Sequence, residues 1–536
     1  MSTITNMMKI ARLSASALIF LHLVCAFSSL AADIQGLVAT GYDSRIDLKW
    51  TSAETRGTAG YNIYRSPDGR EPFVKLNDQP HVPSVYSDFI GENDRTFYYR
   101  VAQIAKNAAS SLQSPAADLI VSARSREMSD DELLTSVQEA TFRYFWDFAH
   151  PVSGLARERN HSGDCVTTGG TGFGLMCIMV GAERGFVTRE QAASRVLQMV
   201  TFLQEKADRF HGAWPHWLNG TTGKTIPFSV KNFDDGADLV ETSFLMEGML
   251  TVRQYFDRKN PVEQEIQRRI TQLWREVEWD WFLQKPGSKK LYWHWSPNYG
   301  WKKNLAIGGQ FNECMITYLL AIASPTHPIP PECYYEGWAA SPQYASVRTN
   351  YGIKQYVGPP MGGPLFFTHY SFLGFDPRNK RDCFCDYFEN NRNLSLIHRA
   401  YCTANPQGHK GYGPLSWGLT ASDYPDGYTA SSPTHDTGTI APTAALSAMP
   451  YTPEASLATL KYYYHKLGTR LWGEFGFYDA FNLDRDWYAK SYIAIDQGPI
   501  VCMIENYRTG LCWRMFMANP EIAPMLKAIG WKTSAN

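Results

Sequence analysis

Residues 129–148, SDDELLTSVQEATFRYFWDF, mark the point where the chain changes its hydrophobic period. Ser129 is placed to cap a helix, three acids follow it, and apolar residues then recur every three or four positions. Upstream, from residue 33 to about 124, the pattern alternates with period two. Ile46-Asp-Leu48-Lys-Trp50, Tyr61-Asn-Ile63-Tyr-Arg65 and Phe97-Tyr-Tyr99-Arg-Val101 each predict a strand with one buried face, with turn residues between them. About 90 residues of this kind predict an immunoglobulin-like β-sandwich.

Downstream, amphipathic segments near 131–148, 170–185, 188–208, 238–257, 261–283, 311–323, 381–402, 438–449, 453–467 and 497–508 predict a mainly α domain over 129–530. Helices paired along the sequence fit an (α/α)6 toroid, in which alternate helices form an inner ring and the loops build one face. The connections 210–236, 285–309, 326–366 and 405–436 are long and rich in Gly, Pro, Trp and Tyr. Loops of that length in a compact domain usually carry function.

The 536 residues are enough for more than one domain, and their net charge of −1 leaves no electrostatic footprint for nucleic acid. Sixteen Trp and thirty Tyr serve mostly a large core, but exceed what it requires and suit stacking on sugars. Lys9 and Arg12 precede the apolar run 13–30, and Ser29-Leu30-Ala31 offers a cleavage site, so residues 1–32 read as a signal peptide. Ser14, Ser16, His22, Ser28 and Ser29 interrupt that run, which disfavours a membrane anchor. A secreted, periplasmic monomer is expected; a lipid anchor at Cys25 is disfavoured by Val24. Nine of ten cysteines survive cleavage, without a CxxC pair, and read mostly as buried free thiols.

The acids of 232–244, NFDDGADLVETSF, form the densest cluster. If this stretch is helical, Asp234, Asp238 and Glu241 share one face, with Asp235 beside them. Like charges at that spacing repel, so a cation, a metal or a hydroxyl-rich substrate must compensate them. With no histidine pattern in the segment, hydroxyl recognition fits at least as well as a metal, and neither metal nor cofactor is expected.

Other candidates lie at loop-to-helix junctions. Glu313, in IGGQFNECMITYLLAIA, either complements a helix dipole or is a carboxyl among aromatics with a raised pKa, the requirement for a general acid. The indole-rich WHWSPNYGW, with Trp293, precedes it. Asp496, in SYIAIDQGPIVCMIENYR, is either an N-cap or a carboxylate that activates water, with Glu505 a structural ion-pair partner. His435 and Asp436 could contact sugar hydroxyls, although Asp436 or Thr437 as a helix cap is slightly favoured. His216 stands between Trp214 and Trp217, a plausible stacking platform. Gly169-Gly170-Thr171-Gly172 opens a helix and serves either an anion or close helix packing. There is no Walker loop, dinucleotide fingerprint, HExxH or GxSxG.

NFDDGADLVETSF, GGQFNE, SPTHDTGTIAPTAAL and YIAIDQGPIV, in that order, resemble the bacterial glucoamylase-like domain, specifically the β-1,2-glucan hydrolases of glycoside hydrolase family 144. The resemblance spans about 129–530. The YNIYRS and TFYYRVAQ strands resemble a fibronectin type III domain over 33–124 only. The first resemblance implies an (α/α)6 toroid that hydrolyses β-1,2-glucan with inversion. It puts Glu313 at the general acid and Asp496 at the base, acting through a relay. Asp234, Asp238 and Glu241 then line a cleft for a neutral β-glucan. The implied action is endo, or exo with release of sophorose. The rivals are another enzyme on the same scaffold (α-glucan hydrolase, lyase or phosphorylase) and a non-catalytic secreted glycan-binding protein.

Overall fold

The computed structural model describes residues 34–52, 58–105, 119–229, 231, 233–345 and 347–533. The signal segment 1–32, with Cys25, lies outside them, as does Asn232. The chain divides into two compact units, Met1–Glu127 and Met128–Asn536.

The first unit is built of antiparallel strands β1 (Ile34–Tyr42), β2 (Arg45–Ser52), β3 (Thr58–Ser66), β4 (Val74–Lys75), β5 (Val85–Phe89), β6 (Thr96–Ala105) and β7 (Val121–Arg124). They form two sheets, ordered β1-β2-β5 and β4-β3-β6-β7. The alternating apolar positions Ile46, Leu48, Trp50, Tyr61, Ile63, Tyr99 and Val101 make one shared core.

In the second unit the described helices are α1 (Asp130–Trp146), α2 (Thr168–Glu183), α3 (Arg189–Glu205), α4 (Leu239–Tyr255), α5 (Pro261–Glu276), α6 (Met315–Ala323), α7 (Tyr387–Ala404), α8 (Pro442–Ser447), α9 (Pro453–Tyr462), α10 (Gly468–Leu471), α11 (Ala494–Arg508), α12 (Leu511–Met517) and α13 (Ile522–Ala528). The Ser129 capping box is complete: its hydroxyl accepts from Glu132 N, and the Glu132 carboxylate accepts from Ser129 N. Helices α10, α12 and α13 were not expected. They are 4 to 7 residues long, too short to show a period.

Helices α2, α4 and α11 are buried along nearly their whole length, and α2 packs on both α4 and α11. A Cβ at Gly172 would come within 2.2 Å of Phe244 O, and one at Gly248 within 2.0 Å of Gly172 O, so both glycines are needed for α2 and α4 to touch backbone to backbone. The buried Glu505 of α11 is paired with Arg184 at 2.7 Å, the structural role expected for it. The nine cysteines of the described residues are free thiols. Among the described residues, no helix is long and apolar enough to cross a membrane.

Candidate active site

Several buried helices bring their N-terminal ends to one cavity of about 340 Å³. Its walls include Thr167 before α2, Val240 and Glu241 of α4, Glu313 before α6, and Ile493 and Ile495 at the start of α11. Helix N-termini carry unpaired N–H groups and a partial positive charge, which suits carboxylates. Glu241 uses this directly: its Oε2 accepts from Gly169 N, in the first turn of α2, at 2.9 Å. The glycine-rich stretch thus serves both expected purposes, close packing at Gly172 and an anion at Gly169, and that anion is the protein's own.

The acidic segment does not follow the helical reading. Phe233 has a left-handed φ of 60°, unusual for a bulky residue, Asp234 makes a bridge with Ser229, and α4 begins only at Leu239. Asp238 caps α4, its Oδ1 accepting from Val240 N at 3.1 Å, Glu241 N at 2.9 Å and Trp293 Nε1 at 2.9 Å. Its Oδ2 faces His216 Nδ1 at 3.2 Å. Asp234 reaches the same place from the loop, with Lys303 Nζ at 2.8 Å and His294 Nδ1 at 3.2 Å.

Asp234 and Asp238 are therefore withdrawn from the cavity wall, because the protein itself satisfies them. Asp235 accepts from Asn298 and is also absent from the wall. The compensation comes from Lys303, His294 and His216, residues distant in sequence. Burial opposes ionisation of Asp234, but His294 and Lys303 outweigh it and hold its carboxyl down at about 2. Ligand atoms of Asp234, Asp238 and His294 lie within 4.8 Å of one another, as a metal would require. Lys303 already supplies the positive charge there.

His216, Trp217 and Trp293 line the cavity as expected. The His216 and Trp217 rings pack on Phe228 with centroids 4.3 and 4.8 Å away. Burial disfavours the imidazolium of His216, but Glu241, Asp238 and Asp234 around it push its pKa up to about 9. His435 and Asp436 are not brought to this cavity. His435 is exposed beside Thr429. Asp436 accepts from Tyr401 at 2.8 Å, Tyr412 at 2.7 Å and Gly438 N at 3.0 Å. It does not cap α8, whose N-cap is Ala441. Its hydroxyl partners hold a loop together, and nothing in the local pattern of SPTHD distinguishes that role from sugar binding.

Glu313 and Asp496 meet the same cavity by different routes. Glu313 lines it, and its Oε2 is buried without a partner. Burial, with a contribution from the nearby Glu241 carboxylate, raises its pKa to about 7. Asp496 lies in the first turn of α11, one layer back and 1% exposed; the N-cap is Ile493. Its Oδ1 accepts from Tyr370 Oη at 3.2 Å, and Tyr370 lines the cavity. The adjacent Ser371 donates to the Glu313 carbonyl. Two consecutive residues thus tie the Asp496 carboxyl and the Glu313 backbone to one wall. Burial drives the Asp496 pKa up to about 7, against hydrogen bonds from Asp479 and Tyr370.

Sequence reasoning missed Lys303, His294, Arg159, Tyr370, Tyr428 and Asp479. The first two stand in the tract WHWSPNYGWKKN, whose indoles drew attention away from its cations. The others lack any local motif.

A family model described as "Putative glucoamylase" matches residues 308–520. An exo beta-1,2-glucooligosaccharide sophorohydrolase (non-reducing end) from Parabacteroides distasonis is 45% identical over 516 residues, 92% of this chain and 70% of its own length. The chain belongs to the glucoamylase-like glycoside hydrolases of family 144. Solved β-1,2-glucanase structures superpose on it. A β-1,2-glucanase from P. distasonis gives a TM-score of 0.87 at 44% identity, covering 94% of this chain and 74% of that one. An endo-β-1,2-glucanase from Chitinophaga pinensis, in complex with sophorotriose and glucose, gives 0.73 at 51% identity, covering 76% of this chain and 99% of that one.

Proposed function

We propose that this protein is an inverting glycoside hydrolase that cleaves β-1,2-linked glucan chains and releases sophorose from an end. One observation carries the mechanism: a cavity-lining carboxyl with an unpartnered oxygen, Glu313, stands on the same wall as Tyr370, which holds the carboxyl of Asp496. Glu313, kept protonated by its enclosure, gives its proton to the glycosidic oxygen. Asp496 receives the proton of the attacking water, with the Tyr370 hydroxyl between them as the relay. Inversion needs room for that water between acid and base, which a base set one layer back provides. Glu241, held by Gly169 N and His216, accepts hydrogen bonds from glucose hydroxyls, and Trp217 and Trp293 pack on pyranose faces.

The packing of α2 on α4, α4 on α6, and α11 on both α8 and α2 supports a ring of inner helices, the (α/α)6 toroid. The exo reading is supported by extent: similarity to the sophorohydrolase runs over 92% of this chain, whereas the endo-acting relative covers 76%. In this reading the protein is a secreted, periplasmic monomer, with a signal peptide at 1–32, a fibronectin type III-like domain at 33–124 and a catalytic domain at 129–530. Its substrate is a neutral β-glucan.

Incubation with long β-1,2-glucan tests this. Exo action yields sophorose from the start while mean chain length declines slowly. An early collapse of chain length would establish endo action, and turnover of starch or β-1,3-glucan instead would remove the substrate assignment.

A further inference from the structure

The buried carboxyl of Asp479 takes no part in the steps above. It lies between two short strands, Gly476–Phe477 and Phe481–Asn482, and is 2% exposed. Its Oδ2 accepts from Asp423 N at 2.7 Å, which leaves Oδ1 buried without a conventional donor. Asp496 is in the mirror situation: Tyr370 satisfies Oδ1, and Oδ2 has no donor. Gln497, next to Asp496, donates its Nε2 to Phe477 O at 3.2 Å, which lays the start of α11 against the turn that carries Asp479, and each carboxyl acts on the other's titration. Two buried carboxylates only accept and repel each other, so a proton shared between them would satisfy both unpaired oxygens.

The surroundings decide which residue carries it. Asp496 faces Tyr370, Asp479, Asp423, Arg159 and Tyr428. Asp479 faces Asp496, Asp423 and Tyr428. Asp423 is engaged by Arg159 at 3.1 Å and by the Ser491 hydroxyl, and Arg159 is shared with Glu158 at 2.9 Å. Asp496 therefore has a phenol donor and the influence of the Arg159 guanidinium, whereas Asp479 accepts from Asp423 N and meets two carboxylates.

Resting on the assignment of Asp496 as base, we propose that Asp479 is a positioning residue that stays a neutral acid and donates its O–H to Asp496, keeping that carboxylate ionised until it takes the proton of water. Burial, and then the charge of Asp496, hold the Asp479 carboxyl well above the usual carboxylate range, in keeping with this. The balance is simple. Water gives hydroxide to the anomeric carbon and a proton, through Tyr370, to Asp496. The pair then holds two protons and loses one to solvent before the next turnover.

The test is the pH profile of kcat on β-1,2-glucan for full-length Asp479→Ala, Asp479→Asn and Asp496→Asn proteins. Asp479→Ala removes the donor, so Asp496 becomes harder to ionise. The acid limb should move up by about one pH unit, with kcat at pH 6 falling about tenfold, KM changing less than about threefold, and recovery at higher pH. Asp479→Asn should restore most of the loss and return the limb. Its amide oxygen still accepts from Asp423 N, and its NH2 still donates to Asp496. An Asn variant as impaired as the Ala variant, or an Ala variant with an unmoved limb, overturns the proposal. If Asp479→Ala does not fold, the near-isosteric Asn variant decides alone: an unmoved limb supports the proposal, and a moved limb or collapsed kcat overturns it. Near-normal activity of Asp496→Asn sinks the base assignment and this proposal together. An inactive Asp496→Asn beside an inactive Asp479→Asn sinks only this proposal.

Discussion

Two groups of buried acids in the helical unit are neutralised by opposite means. Asp234 and Asp238 sit among Lys303, His294, His216, an indole and backbone N–H groups. Asp479 and Asp496 sit against each other and Tyr370. Both groups bear a desolvation penalty. Cations resolve it by holding the carboxyl charged, which yields a fixed scaffold. A shared proton relieves it for the second pair, and burial leaves Asp496 at about 7, a group able to exchange protons at working pH. Fixed charge suits positioning, and a titrating pair suits chemistry.

The largest effects should fall on the titrating side. Glu313→Gln and Asp496→Asn should each lower kcat on β-1,2-glucan about a thousandfold with folding intact, as expected for loss of a general acid or base. An Asp234→Asn protein losing as much would erase the distinction between the two groups. Next, the wild-type kcat profile should be a bell centred near pH 7. Asp496, with a pKa of about 7, must be ionised, so the rate falls below it; Glu313, also about 7, must be protonated, so the rate falls above it. A flat rate between pH 5 and 9 would refute both assignments.

The cation-held side should show itself in stability. The Asp234 carboxyl is held at about 2, below its ordinary 3.8, so its contribution is present above pH 4 and is lost as pH falls from about 4 to 2. Lys303→Met should cost about 2 kcal/mol at neutral pH and move that loss to higher pH, measured by urea unfolding between pH 3 and 7. An unshifted acid transition would show that Lys303 is dispensable there. The smallest effect is expected outside the cavity. Asp436→Asn should leave kcat/KM within about twofold, while loss of its charge-assisted hydrogen bonds lowers stability by about 1–2 kcal/mol. A large rise in KM would return Asp436 to the substrate.

Much of the architecture was legible along the chain, because burial imposes a period on sequence. Alternation at Ile46–Trp50, Tyr61–Arg65 and Phe97–Val101 marks strands β2, β3 and β6, and the capping box at Ser129 opens the helical unit where the period changes. Glu313 was legible too, as an acid stranded before a wholly apolar helix. The acids of 232–244 could be recognised as a cluster, but their helical geometry could not be read correctly. A left-handed Phe233 and a cap at Asp238 replace the first turn, and neither leaves a periodic trace.

Local pattern thus determined where strands and helices lie and which acids are too costly to bury without a purpose. Tertiary structure alone decided the protonation of those acids, since it depends on partners from other parts of the chain. Lys303 reaches Asp234 across 69 positions, Tyr370 reaches Asp496 across 126, and Asp479 reaches Asp496 only because α11 packs beside its turn. A carboxyl's pKa is set by what lies within a few ångströms, and sequence proximity says little about that distance.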